Sequence, residues 1–506
     1  MDSLSNLMMG FGIAMQPNNL LFGFLGSVMG TLVGLLPGLG PAATLAMLLP
    51  ISSQLDPTAA IIMMSAIFHG AQYAGVITAV LMNVPGEGST AITCVEGYPM
   101  AKKGRAGAVL SIAPVAAFLA ANVSALAVVL AAAPLVVLAL KFGPSETFAL
   151  LTLGMAMVTT LTGKSKVKGL MMGVFGLMLA MVGTDPMRGL PRYTLGKPEL
   201  IDGIGLLPVV MGIFGLAELL ENAERALKPV FLETSMSSLR PTRQEARDSV
   251  GPVVRGTAVG MPLGMIPGIT NATSAFLSYA LEQKVSKHPE KFGTGIIEGV
   301  AGPEAAANSH AMSSMIPLLT LGIPVSPGLA VLMSALIMNG LQPGPLLFEN
   351  HPHFVWAVIA SFYVANLMLL VLNLPLIGVW VRFTTLPYSV LFAIIACVML
   401  VGAYTISNSG FSVGMMALLG FVGYILRKQG FPMAPVALTL ILEPLWEKAL
   451  RRCLEGSEGD FSVFLQSPLS TGLLVMAALM ILYPIIPAAR AHFARGRQIV
   501  PASGND

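Results

Sequence analysis

The sequence is short of charge. Only 10% of its 506 residues are Asp, Glu, Lys or Arg, against about 25% in ordinary soluble domains. Hydrophobic residues make up 55%, so a water-soluble fold of this length would lack the polar side chains to cover its surface. The formal net charge is only +3 and no basic stripe is present, which argues against a nucleic-acid partner. Cysteine is scarce too. Cys94, Cys397 and Cys453 lie far apart, in neither a disulfide framework nor a metal-ligand spacing. His351 and His353 flank a single proline and have no third ligand nearby in sequence, which is weak ground for a metal. No nucleophile–base set and no nucleotide loop can be assembled, so neither an enzyme nor a cofactor is expected. Met1 to Gln16 contains no Lys or Arg. It therefore lacks the basic start of a secretory leader, and the first apolar run is expected to stay in the mature chain.

What the chain does have is long apolar runs, recurring from Leu20 to Pro487. They indicate an all-α, polytopic membrane protein. Glycine is placed with unusual regularity inside them. Gly26, Gly30, Gly34 and Gly38 fall every fourth residue, followed by Gly40 and Pro41. Gly256, Gly260, Gly264 and Gly268 repeat the pattern at a constant offset of 230, with Pro37 and Pro267 preceding the last glycine of each set. Small residues four apart give a flat stripe for close helix contact in lipid, the role expected of Gly26, Gly30, Gly34, Gly256 and Gly260. The Pro-Gly ends read instead as breaks.

Around each ladder the same plan recurs. A helix from Leu20 breaks at 37–41, and a segment from Thr58 to Met82 meets a second break at 83–90. In the second copy the breaks fall at 267–271 and 322–328. The loops of the first copy are free of Lys and Arg until Lys102, Lys103 and Arg105. Those of the second are basic first, with Arg240, Arg243, Arg247 and then Lys284, Lys287 and Lys291, and end without Lys or Arg at 349–353. By the positive-inside rule the two copies have opposite orientation, and each ladder helix returns to its own side as a re-entrant hairpin. Two inverted-topology repeats with broken helices are a common plan of secondary transporters.

The expected organisation is a first repeat over 18–222, a basic cytoplasmic linker over 223–255, a second repeat over 256–449, and a final span with a basic tail over 450–506. About 11–12 spans result. Ala106–Leu140 is long enough for two, and Arg188, Arg192 and Lys197 fall on the outer side, against the charge rule.

Backbone that leaves a helix at membrane depth is tolerated where it is buried in protein or lines a wet cavity. Free N–H groups at the start of a half-helix attract anions, and free carbonyls at the end of the preceding one suit Na⁺. The candidate substrate and ion residues are Pro37, Gly38 and Gly40 at the first tip; Asn83, Pro85, Gly86, Ser89 and Thr90 at the first break; Gly268, Thr270 and Asn271 at the second tip; and Asn308, Pro324 and Ser326 in and near the second break. None is positively charged, so an anion would be held by hydroxyls, amides and helix dipoles. Glu87 lies in a break and Glu304 just before one, where a carboxylate can hold a cation or proton. Asp185 and Glu443 also interrupt apolar runs.

Several longer motifs carry a family resemblance. Gly34-Leu-Leu-Pro-Gly-Leu-Gly-Pro, Asn83-Val-Pro-Gly, Glu96-Gly-Tyr-Pro-Met-Ala-Lys-Lys-Gly-Arg-Ala-Gly, Glu298-Gly-Val-Ala-Gly-Pro-Glu-Ala-Ala, Leu321-Gly-Ile-Pro and Gly340-Leu-Gln-Pro-Gly-Pro resemble the large permease subunit of the tripartite tricarboxylate transporters, from about Leu20 to Leu482. The resemblance implies a multi-pass carrier of the bacterial inner membrane, driven by Na⁺ (or H⁺). It also implies a small membrane subunit and a periplasmic solute-binding protein that delivers a carboxylate. The family's tip and break residues carry over onto Pro37, Gly38, Gly40, Asn83, Pro85, Gly86, Pro267, Gly268, Thr270, Asn271 and Pro324. The chain departs from the family pattern at Ala307, at Val325-Ser326-Pro327 and at Glu87, so citrate itself is not assumed as substrate. Against a carboxylate symporter stand an anion channel, a transporter of a non-carboxylate solute, and an intramembrane enzyme, which would need a buried catalytic pair.

Overall fold

The computed structural model describes residues 3–36, 40–139, 142–161, 165–185, 188–224, 240–383, 388–407 and 409–497. It is almost wholly helical. In chain order, α1 is Ser3–Ala14, α2 Pro17–Gly34, α3 Pro41–Ser52, α4 Pro57–Met82, α5 Ala91–Lys102 and α6 Ala106–Ala139. Next come α7 Pro144–Leu161, α8 Lys166–Ala180 and the two-residue strands β1 Gly183–Thr184 and β2 Pro191–Arg192, paired antiparallel. Helices α9 Leu206–Val210 and α10 Ala217–Glu224 are joined through a π turn at Met211–Leu216. Then follow α11 Arg243–Gly264, α12 Asn271–Val285, α13 Glu298–Ser313, α14 Met315–Leu321, α15 Pro327–Met338, α16 Pro345–Asn350 and α17 Pro352–Asn373. The rest are α18 Ile377–Phe383, α19 Tyr388–Ser407, α20 Gly410–Lys428, α21 Ala434–Gly456, α22 Val463–Gln466 and α23 Pro468–Arg497. Five described helices are long and apolar enough to cross a membrane alone, and shorter apolar helices such as α3 and α15 accompany them.

The chain divides into two compact units. One comprises Met1–Lys141 and Gly205–Ile425, the other Phe142–Ile204 and Leu426–Asp506.

In the first unit the glycine ladders set the packing. A Cβ added to Gly26, Gly30 or Gly34 would fall 2.4, 2.5 and 2.5 Å from the carbonyl oxygens of Met63, Ile67 and Ala71 on α4. On α11, a Cβ at Gly256, Gly260 or Gly264 would fall 2.2, 2.1 and 2.3 Å from those of Gly302, Ala306 and His310 on α13. Both ladders therefore press backbone on backbone, which only glycine permits. This is the packing role expected of Gly26, Gly30, Gly34, Gly256 and Gly260, and Gly264 shares it.

The two series also match element by element. Each ladder helix is followed by a break, a short helix of 12 or 15 residues, and the buried partner of the ladder. In the first series that partner, α4, closes directly on a left-handed residue, Asn83 (φ 56°); in the second, α13 runs on into the short helix α14, which closes on Gly322 (φ 69°). A 12-residue helix comes next, α5 or α15. Packing between the series is reciprocal: α2 rests on α17 and α11 on α6, while α4 meets α17 and α13 meets α6. Helix α4 is buried from Ala59 to Met82 and stands at the centre of this unit.

Local chemistry explains the ends. Proline occupies the first turn of α2, α3, α4 and α15, where its missing N–H costs no bond. Asp56 accepts from the Thr58 and Ala59 N–H groups at the start of α4. Thr242 and Glu245 form a reciprocal capping box on α11. Burial pushes the Glu245 carboxyl up, but hydrogen bonds from Arg105 and Thr242 outweigh it and hold the group below the usual carboxylate range. Ala106–Ala139 is one continuous helix despite Pro114 and Pro134, not two. The run from Phe354 resolves into α17 and α18, and the N-terminal segment forms a helix of its own, α1, on α17. Helix α11 begins inside the stretch read as linker; residues 225–239 of that linker lie outside the described residues.

In the second unit α7 packs on α8, α21 and α23. Here Asp185 accepts from both Arg451 nitrogens at 3.0 and 2.9 Å, and Glu447 accepts from Arg192 at 2.8 and 3.2 Å. Arg192, an exception to the charge rule in sequence, thus has its charge matched by carboxylates.

Candidate functional site

The tips and breaks of the first unit gather at one place, and they do so across the two series. The second tip meets the first break. Asn271, first residue of α12, donates through Nδ2 to the Glu87 carboxylate at 3.2 and 3.4 Å. A Cβ at Gly88 would touch Ala272 Cβ at 3.4 Å. The first tip meets the second break: a Cβ at Gly328 would lie 3.6 Å from Pro41 Cβ and 2.8 Å from the Phe68 ring. The second tip also joins its own break, where Gly268 N–H donates to Val325 O at 3.3 Å.

Around Glu87 the partners are neutral. Ser89 Oγ donates to its carboxylate. Thr90 Oγ1 donates to Glu87 O at 2.9 Å and accepts from Glu87 N–H at 3.2 Å. Gln72 of α4, with its amide nitrogen turned to the carboxylate, donates to Glu87 Oε1 at 2.6 Å and accepts from Asn271 at 3.0 Å. A second carboxylate, Glu304 on α13, is buried and accepts from Thr93 Oγ1 of α5. Among the described residues no Lys or Arg forms an ion pair with either one. On the same face of α12, Ser274 Oγ pairs with His310 Nδ1 at 2.8 Å.

At the first tip, Pro37 and Gly38 lie outside the described residues. Gly40 is extended and caps α3, and its N–H donates to Glu218 Oε1 of α10 at 2.7 Å. An anion does occupy this helix start, but it is a carboxylate of the chain itself. Such a group suits the positive end of a helix.

The remaining candidates divide by role. Gly86 is a contact residue: a Cβ there would fall 2.5 Å from Gly75 Cα and 3.0 Å from Gly34 O. Asn83 supplies the left-handed cap that ends α4 and leaves its side chain exposed. Pro85 is exposed, whereas Pro324 is buried beside the cap at Gly322. Thr270 and Ser326 each accept from an N–H of their own following helix, those of Thr273 and Leu329. Asn308 Nδ2 donates to Glu304 O at 3.0 Å, one turn back on its own helix, and so is not brought to the tips by a bond of its own. Gln72, Thr93 and Glu218 go unmarked by sequence reasoning. Glu218 carried the one usable signal, an acidic residue inside an apolar segment.

Polar groups and two carboxylates thus meet where four half-helices end, inside a helical membrane protein. No solved structure matches the chain. Two relatives from Agrobacterium vitis do. An uncharacterized 52.8 kDa protein in the TAR-I ttuC' 3' region is 43% identical over 491 residues, covering 97% of this chain and 98% of that protein. An uncharacterized protein in the TAR-II ttuC' 3' region is 42% identical over 232 residues, covering 46% of this chain and 96% of that protein. Residues 20–438, which span both ladders, both tips and both breaks, match a family model, and by that match the chain belongs to the tripartite tricarboxylate transporter TctA family.

Proposed function

We propose that this chain is the large permease subunit of a binding-protein-dependent secondary transporter in a bacterial inner membrane. It imports a di- or tricarboxylate with Na⁺ or H⁺ by alternating access. Its two series of helices are inverted repeats, and its tips are re-entrant. A periplasmic solute-binding protein delivers the anion, and a small membrane subunit completes the assembly.

The observation that carries this reading is the crossed meeting of tips and breaks: Asn271 on Glu87, and Pro41 on the Gly328 backbone. A site shared between two repeats changes its exposure when one repeat rocks against the other. The helix starts at Gly40 and Asn271, with Ser89, Thr90 and Thr270, offer neutral donors to a carboxylate. Glu218 and Glu87 hold those donors between cycles, and the incoming carboxylate takes their place. Glu87 and Glu304 lack basic partners among the described residues, so taking up a cation offsets their charge. This links anion entry to cation entry.

The test is uptake of radiolabelled di- and tricarboxylates into proteoliposomes holding the complete assembly. Saturable accumulation that follows an imposed Na⁺ or proton gradient is the expected result. Uptake indifferent to both gradients overturns the symport reading, and unsaturated conductance through the permease alone would identify a channel.

A further inference from the structure

We infer that the groove between α6 and α11 in the first unit is a binding site for an anionic phospholipid. The groove has a volume of about 970 Å³ and is walled by Ser111, Val115, Leu119 and Val123 of α6 and by Val250 and Val254 of α11. Its apolar side chains are open: Leu119 is 49% exposed and Val254 64%. Ala116 and Val253 touch at the floor, where a small residue lets the two helices meet. From Ser111 to Val123 the wall rises about 18 Å at helical pitch, the reach of an acyl chain rather than of a compact solute.

One end of the groove is basic. Both helices start there, α6 just after Lys102, Lys103 and Arg105, and α11 just after Arg240. Arg240 lines the groove itself. Arg243 and Arg247 continue the stripe of Val250 and Val254 at helical spacing and are exposed. Arg105 is already matched by Glu245, and Lys103 Nζ donates to Thr294 O at 2.7 Å. Arg240, Arg243 and Arg247 make no ion pair among the described residues. Asp248 lies near them, but its carboxylate accepts from Gln244. An apolar slot open along its length, with three uncommitted arginines at the end carrying the basic loops, fits a lipid with acyl chains below and a phosphate above. A transmembrane helix of a partner protein would fill the slot equally well but would leave the arginines unmatched. The inference does not depend on which solute the chain carries.

Native mass spectrometry of the purified full chain, titrated with dioleoyl phosphatidylglycerol or dioleoyl phosphatidylcholine, tests it. Wild type is expected to retain phosphatidylglycerol preferentially. Each Arg→Gln change at 240, 243 or 247 is expected to cut that preference about fivefold, and the exposed positions keep these variants folded. Val254→Trp fills the slot and lowers retention of both lipids. Equal retention of the two lipids by wild type, or an undiminished preference in the triple Arg→Gln variant, overturns the assignment. So does a Val254→Trp variant that sheds a co-expressed membrane partner while keeping its lipid, which makes the groove a protein interface.

Discussion

Gly40 and Thr270 occupy corresponding places, 230 residues apart, and cap corresponding short helices in different ways. Thr270 accepts the Thr273 N–H through its own hydroxyl, as N-cap threonines do. Gly40 has no side chain to offer, and its N–H instead takes a carboxylate from 178 positions away, Glu218. A charge-assisted bond at a helix start is stronger than a neutral one, so on the proposed carrier reading Glu218 competes with an incoming anion for the same donor. Glu218→Gln keeps the shape and removes the charge. Its expected effect is a KM lowered roughly three- to tenfold, the range set by a dipole interaction of about 1 kcal/mol, with kcat reduced because release slows. Transport kinetics in proteoliposomes check this, and an unchanged KM and kcat would remove Glu218 from the cycle. The carboxylate at Glu87 belongs to the same logic, but its neighbours Ser89 and Thr90 were visible in sequence because they sit in the same break. Gln72, in the middle of an unbroken helix, was not.

Among the elements, the ladder helices show how far a pattern can be read. Glycine every fourth residue announced a close helix contact, and α2 and α11 make it against α4 and α13. The partner was not legible, since a stripe of small residues fits any backbone that approaches it. Helix α1 was missed because its glycine-rich, weakly patterned sequence gave no clear apolar face, and its helix is supported by packing on α17. Close contact has a measurable consequence. Gly260→Ala puts a methyl 2.1 Å from Ala306 O, against backbone that cannot swing aside, whereas Gly12→Ala meets nothing within 4 Å. The first is expected to lower the thermal midpoint by several degrees, as overpacking by about 1–3 kcal/mol does. The second leaves it level or slightly raised, because alanine favours the helix. Thermal unfolding of the two variants in the same detergent decides the point, and equal midpoints would contradict the ladder contact.

For the molecule as a whole, the prediction concerns access. If the crossed tips and breaks are the carrier site, the side chain at 271 faces one side of the membrane at a time. Asn271→Cys, in a background where Cys94, Cys397 and Cys453 are replaced, is expected to react with a membrane-impermeant maleimide from one side without substrate. Carboxylate with the coupling cation shifts or blocks that labelling. Equal labelling from both sides at once would describe a pore instead. Membrane character, the helix breaks and the pairing of the two ladders at offset 230 came from local facts: lipid rewards unbroken apolar helices, proline and glycine end them, and basic loops mark one side. Contacts over long separations had no such signal. Gly40 with Glu218, Asn271 with Glu87, and Thr93 with Glu304 join positions 178, 184 and 211 apart. Which side chains meet there depends on the rotation and height of each helix. Those are set when the two ladders seat on α4 and α13, because a shift of one residue along either ladder would drive side chains into backbone.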